Sequence, residues 1–143
     1  MKLTNFCDYS LRVLIYLGVK GNRSSIGEIS EAYGLSKNHI VKIVHNLVKL
    51  GYIRSIQGKG GGIELALKPE KINLGEIIEQ LESEFDLVEC FNDSKNTCSI
   101  SPVCRLKDIL YQAKRAFLIS LKRYSLSDIL KNKTGLTHLI MNK

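Results

Sequence analysis

Between residues 5 and 67 the hydrophobic pattern reads helix, helix, helix and then changes period to strand, turn, strand, an order that few folds accept. Phe6, Tyr9, Val13, Tyr16 and Leu17 recur at three- and four-residue steps, which predicts a helix from Asn5 to about Val19. Asp8, Arg12 and Ile15 fall on a different face of it. Ser25 and Glu28 have the spacing of a capping box and open a short helix through Ile29 and Ala32 that stops at Gly34. Ser36 caps the next helix, Lys37 to about Leu50, with Ile40, Ile43, Val44 and Leu47 as its core residues. Two helices joined by a tight turn containing glycine form a helix-turn-helix. The segments 52–56 and 63–67 then read as strands, and Gln57-Gly58-Lys59-Gly60-Gly61-Gly62 between them reads as a hairpin tip. Glycine loops that cradle nucleotide phosphates lead from a strand into a helix, whereas this one leads into a second strand. The expected fold is therefore mainly α with a small β-hairpin: a winged helix-turn-helix.

Charge is distributed to suit that reading. Residues 1–62 carry nine Lys/Arg against three Asp/Glu, whereas residues 70–93 carry eight acids and one lysine. A basic half suits a polyanion, because its cations displace counterions from a phosphate backbone; a solvated basic face would show the same balance. Lys37, Asn38, His39, Lys42, His45 and Asn46 lie off the core stripe of the third helix. Asparagine can pair with adenine edges, and lysine with guanine or phosphate, in the major groove. Lys59 at the hairpin tip is placed to reach a minor groove or a phosphate, with glycines that permit close approach. There is no constellation of catalytic acid, base or nucleophile, so a non-enzymatic function is expected. His39 and His45 on a polar helix read as surface or DNA contacts.

The second half is organised around thiols. Cys90, Cys98 and Cys104 are separated by seven and five residues in an otherwise polar stretch. Such a stretch is too long to be a bare connector, and three thiols in it argue for order imposed by a metal or cluster. Zinc sites favour closely spaced cysteine pairs, which this loop lacks, while an iron–sulfur cluster tolerates wider spacing. Three ligands leave a fourth position, for which Cys7 and Asp8 are the nearest candidates. Cys7 also reads as a small buried hydrophobe, and Asp8 as an i,i+4 partner of Arg12 worth about 0.3–0.5 kcal/mol. With 44% hydrophobic residues the chain is globular, and no run approaches the roughly 18 apolar residues of a membrane span. The N-terminal stretch does not read as a signal peptide, since charges interrupt it. A cytoplasmic protein is expected, in which cysteines serve as ligands or redox thiols rather than as structural disulfides.

Asn73 and Glu76 open a further helix through Ile77, Ile78 and Leu81. Beyond the thiols, Ser101 as cap and Pro102 in the first turn predict a long helix to about Arg123, roughly 30 Å. Val103, Leu106, Leu110, Ala113, Phe117, Leu121 and Tyr124 form its stripe, widened by Ile109, Ala116 and Ile119. So much apolar surface in a small chain predicts a dimer-forming helix. Ser125 and Asp128 begin a short terminal helix. The expected organisation is a DNA-binding unit at 1–82, a cluster-binding loop at 83–104, and dimerisation and C-terminal helices at 102–143.

Several of these segments carry a likeness that spans nearly the whole chain. They are Leu3-Thr4, Asp8-Tyr9-Ser10-Leu11-Arg12, Ser36-Lys37-Asn38-His39 with Val41-Lys42, and Gly58-Lys59-Gly60-Gly61-Gly62-Ile63. Most specific are Glu89-Cys90-Phe91 through Cys98, and Ser101-Pro102-Val103-Cys104-Arg105-Leu106-Lys107. In these the chain resembles the nitric-oxide-sensing NsrR branch of the winged-helix iron–sulfur regulators, which also include the IscR type. The resemblance implies a homodimeric transcriptional repressor that binds a double-stranded DNA operator and takes nitric oxide as its signal. It implies one iron–sulfur cluster per subunit, 4Fe–4S in preference to 2Fe–2S, ligated by Cys90, Cys98 and Cys104 with Asp8 from the other subunit. Ser36, Lys37, Asn38, His39, Lys42 and Lys59 would be the DNA-binding residues. Cys7 lies outside the family pattern, and the family's first cysteine gap varies in length. The rival within the same superfamily senses iron–sulfur status or oxidants through its thiols; a rival of another class is an iron–sulfur electron carrier, against which the wing argues.

Overall fold

The computed structural model describes residues 2–142; Met1 and Lys143, at the outer ends of the first and last expected regions, lie outside that range. Helix α1 (Asn5–Lys20) starts where Thr4 turns extended and its hydroxyl accepts from the Cys7 N–H at 3.2 Å. It ends at Gly21, whose φ of 72° is the left-handed conformation that terminates helices cheaply only at glycine. Helix α2 (Ile26–Tyr33) opens on the expected capping box. Ser25 accepts from the Glu28 N–H at 3.1 Å, and the Glu28 carboxylate accepts from the Ser25 N–H at 2.6 Å. Gly34 ends it, and Ser36 caps α3 (Lys37–Lys49) by accepting from the His39 N–H.

Strands β1 (Ile53–Ile56) and β2 (Gly62–Leu65) pair antiparallel, with Ile53 opposite Leu65 and Ile56 opposite Gly62. The hairpin is shorter than the alternation predicts at its open end. It is also joined to the helices by a pairing that sequence periodicity does not reveal. Ser24, between α1 and α2, exchanges both backbone hydrogen bonds with Ile63 at 2.9 Å. The core lies beneath this junction. Leu14 and Leu17 of α1, Ile29 of α2, Ile40, Ile43 and Leu47 of α3, Ile53, Ile63, Ile72 and Ile77 are all at most 4% exposed. Each such side chain contributes about 1.5–3 kcal/mol through burial.

Helix α4 (Leu74–Leu81) is capped by Asn73, whose side-chain oxygen accepts from the Gly75 and Glu76 N–H groups. The Asn73 amide nitrogen donates to the Lys122 carbonyl at 2.8 Å, which fastens α4 to the end of α5 (Arg105–Leu121). Helices α6 (Leu126–Ile129) and α7 (Lys133–Met141) complete the chain, α6 opening on the expected Ser125–Asp128 box and α7 returning onto α1 and α2. No helix among the described residues is long and apolar enough to cross a membrane.

Two expectations for the long helix need correction. It starts at Arg105, not at Ser101–Pro102. The Val103 N–H bonds the Ile100 carbonyl and the Cys104 N–H bonds that of Ser101, so a separate 3₁₀ turn, Ser101–Val103, uses the groups that would open an α-helix. At 17 residues α5 is about 25 Å long. The single predicted stripe is in fact two. Leu110, Phe117 and Leu121 are half-buried against their own chain together with Leu118, which the stripe omitted and which is 7% exposed. Leu106, Ile109, Ala113 and Ala116 form an open face beside them.

Candidate nucleic-acid interface and cysteine loop

The helices and hairpin follow one another in the expected order. Burial of Ile40, Ile43, Val44 and Leu47 turns the opposite face of α3 outward, and Ser36, Lys37, Asn38, His39 and Lys42 are all exposed on it. Lys59 stands exposed at the wing tip between Gly58 and Gly60, whose φ values of 89° and 76° make the turn. The wing is held by a residue the sequence reading passed over. Arg23 donates through Nη1 to the Gly60 carbonyl at 2.9 Å and through Nε to Glu64 at 3.3 Å, while Arg54 donates to Glu64 at 2.6 Å from the neighbouring strand. These two guanidiniums hold the Glu64 carboxyl below the usual carboxylate range, Arg54 through the larger effect. No local pattern signals Arg23, because its partners are some 40 residues away in sequence.

The three loop thiols are free and lie in one loop, but they are not equivalent. Cys90 is buried, in the 3₁₀ turn Glu89–Phe91. Cys98 and Cys104 are half-exposed, and Cys104 is the N-cap residue of α5. Side-chain bonds shape the seven intervening residues. The Glu89 carboxylate accepts from the Thr97 N–H at 3.2 Å and from the Thr97 hydroxyl at 3.0 Å. The residues just before Cys90 and Cys98 are thereby tied together. Asn96 accepts from the Cys98 N–H, Asn92 accepts from Ser94, and Lys95 pairs with Glu84. Among the described residues no group of three or more His, Cys, Asp or Glu side chains is gathered for a single metal ion. The chemistry of the donor set, three unpaired soft thiols spread along one loop, fits a cluster.

Asp8 and Cys7 point in different chemical directions. Within the chain Asp8 is gripped by Arg12 in a bidentate pair, Nη2 at 2.7 Å and Nε at 3.2 Å, with both side chains about 42% exposed. Arg12 in turn lies against the rings of Tyr9 and Tyr33, and the Tyr33 hydroxyl donates to the Arg12 carbonyl. Cys7 is fully buried in the core. Burial above all, and then the nearby Glu82 carboxylate, push its thiol up to about 12, so it remains protonated. Glu82, 7% exposed, accepts from both the N–H and the hydroxyl of Thr4, tying the end of α4 to the start of α1. The segment entering the cysteine loop is therefore anchored one turn from Asp8.

A family model described as Rrf2, iron-dependent transcriptional regulator, matches residues 3–132. An HTH-type transcriptional regulator NsrR of Bacillus subtilis is 49% identical, with 100% of this chain and 99% of the relative covered. Its namesake in Bacillus licheniformis is 48% identical, with 98% and 99% covered. Among solved structures, the T. potens IscR superposes with a TM-score of 0.73 at 24% identity, covering 92% of this chain and 88% of that one. CymR, the global cysteine regulator of B. subtilis, superposes with a TM-score of 0.70 at 26% identity, covering 90% and 95%.

Proposed function

The chain belongs to the Rrf2 family and is a DNA-binding transcriptional repressor of the NsrR type, not an enzyme, and on that premise we propose that it acts in the cytoplasm as a homodimer that releases its operator when nitric oxide reaches an iron–sulfur cluster. The observation that carries this reading is three free thiols on one loop that runs into a helix with an open apolar face. Residues 1–82 form the DNA-binding unit, 83–104 the cluster loop and 102–143 the dimerisation and C-terminal part. Cys90, Cys98 and Cys104 hold the cluster, 4Fe–4S in preference to 2Fe–2S, and Asp8 of the partner subunit provides the fourth ligand.

When bound, the cluster supplies iron that combines with nitric oxide. Asp8 would contribute a hard carboxylate oxygen beside three soft thiolates, the weakest match of the four to a soft site. Arg12, one turn along α1, would compete with the cluster for the Asp8 carboxylate, since it holds that carboxylate in a bidentate pair within the single chain. Helix α1 packs directly on α3, so a pull on Asp8 bears on the helix that carries Lys37, Asn38, His39 and Lys42. Two reading heads must match the spacing of two major-groove half-sites, and a small rotation between them suffices to lose the operator. Lys59 adds a wing contact.

The test is anaerobic purification with an absorbance spectrum and an iron and sulfide count, followed by titration with nitric oxide or peroxide while operator binding is measured. Nitric oxide is expected to change the visible spectrum and abolish DNA binding in parallel, at doses where peroxide does neither. Cys98→Ala is expected to lower iron to background, whereas Cys7→Ala retains it. Release by peroxide from iron-free protein would instead establish the thiol-oxidation reading.

A further inference from the structure

Helix α5 touches the cysteine loop through one small assembly of rings around a cation. The Lys114 ammonium lies 5.6 Å from the ring centre of Phe85 and 5.6 Å from that of Phe91. Each ring is backed by another on α5. Phe85 packs on Phe117 with centroids 5.7 Å apart, and Phe91 meets Tyr111 edge to face at 5.9 Å. Tyr111, Lys114 and Phe117 are spaced by three, so they line one side of the helix. Phe85 and Phe91 bracket the chain that leads into Cys90. Cys90 is the only loop thiol of the three that is buried.

We infer that Lys114 is a positioning residue for the sensor: its ammonium, seated between Phe85 and Phe91, fixes Cys90 against α5 before any cluster is present. The physical basis is that a cation is attracted to the faces of aromatic rings within about 6 Å, and more strongly when it is partly desolvated. Lys114 is half-buried here, as are both phenylalanines. One side chain thus serves two rings on the same loop. Withdrawing its charge removes a contact from both rings at once. The clamp also makes the α5 that we propose to dimerise the platform on which the first ligand is mounted. The inference rests on the proposed cluster for its purpose, but the clamp itself is a property of the metal-free chain.

The test therefore begins with metal-free, reduced protein. Lys114→Met keeps the length and apolar stem of the side chain and removes its charge; Lys114→Arg keeps a cation. Alkylation of each cysteine by iodoacetamide is followed by peptide mass spectrometry. Cys90 in Lys114→Met is expected to react about five-fold faster than in the unaltered protein, the size of two cation–π contacts at the weak end of their range, with Lys114→Arg close to unaltered. Cys7 reactivity serves as the internal measure of core integrity and is expected to stay constant. Phe91→Leu should speed Cys90 alkylation as well, and combining it with Lys114→Met should add less than the product of the two separate effects. In anaerobically prepared protein, iron loss to a chelator should be faster in Lys114→Met and restored in Lys114→Arg. Unchanged Cys90 reactivity in Lys114→Met, or fully multiplicative effects with Phe91→Leu, would overturn the clamp. Absence of iron from the unaltered protein would overturn the cluster and leave the alkylation result standing.

Discussion

In the winged-helix half, Leu14, Ile29, Ile40 and Leu47 are at most 1% exposed, and the hairpin is joined to the helices by backbone bonds at Ser24. In the thiol half, Val103 is 86% exposed, and Leu106, Ile109 and Ile119 are each more than half exposed. The first region completes its core within one chain. The second buries Leu118 and Leu126 but leaves one face of α5 open, and its loop is ordered by side-chain hydrogen bonds and a lysine between two rings. If the proposed function holds, the winged-helix half is finished in the protomer, and the thiol half is the part that a cofactor and a second copy would complete.

The contrast can be broken most directly through stability. Leu14→Ala should lower the unfolding free energy by about 2–5 kcal/mol, whatever the protein concentration. Leu106→Ala should change dilute-protein stability by no more than about 0.5 kcal/mol. It should nevertheless raise the concentration at which sedimentation detects a dimer. Comparable losses at the two sites in dilute urea titrations would show that the Leu106 face of α5, and not only Leu118, belongs to the closed core.

Within the reading head the expected effects are smaller and differ in kind. Asn38→Ala should cost about 1–3 kcal/mol of discrimination between operator and altered sequences if its amide is bidentate to a base. Lys59→Ala should weaken operator and random DNA alike and flatten the salt dependence by about one counterion. Equal losses on both DNAs for Asn38→Ala would reassign it to holding the backbone.

The smallest effect concerns the cap that joins α2 to α1. Hydrogen bonding from Lys20, and then from the Ser25 backbone, holds the Glu28 carboxyl below its ordinary value. A depressed carboxyl contributes stability above the unfolded value of about 4.3, and that contribution is lost as pH falls through the folded one. The Tm gap between the unaltered protein and Glu28→Gln should therefore be widest near neutrality and close toward pH 3. A gap that is constant over that range would assign the effect to helix geometry rather than charge.

The winged-helix half was legible because its signals are local. Ser25, Ser36 and Asn73 announce helix starts by their own side chains, and Gly34, Gly58 and Gly60 sit where the backbone takes positive φ. The thiol half was legible in composition and less so in form. Ser101-Pro102 has the local appearance of a helix start, yet the turn there closes on itself and leaves Cys104 extended at the true one. Leu118 is turned inward by packing against α4, where a β-carbon on Gly75 would fall 2.9 Å from the Leu118 carbonyl. Arg23, Ser24 and Lys114 act through partners distant in sequence, and periodicity carries no trace of them. The pairing of Asp8 with Arg12 was legible from their spacing of four.

The bond between Glu89 and Thr97 has a consequence for how chains of this kind can diverge. A loop fastened at its neck sets the separation of the two thiols there, so the number of residues looping out between them becomes a nearly silent variable. Insertions and deletions between Asn92 and Asn96 alter the size of a surface excursion and not the span across its base, and drift in that count need not be matched by change at either cysteine. The same count altered between Cys98 and Cys104, where the Ser101 N–H bonds the Cys98 carbonyl and the Cys104 N–H bonds that of Ser101, would break this chain of turns and displace the last thiol from the start of α5.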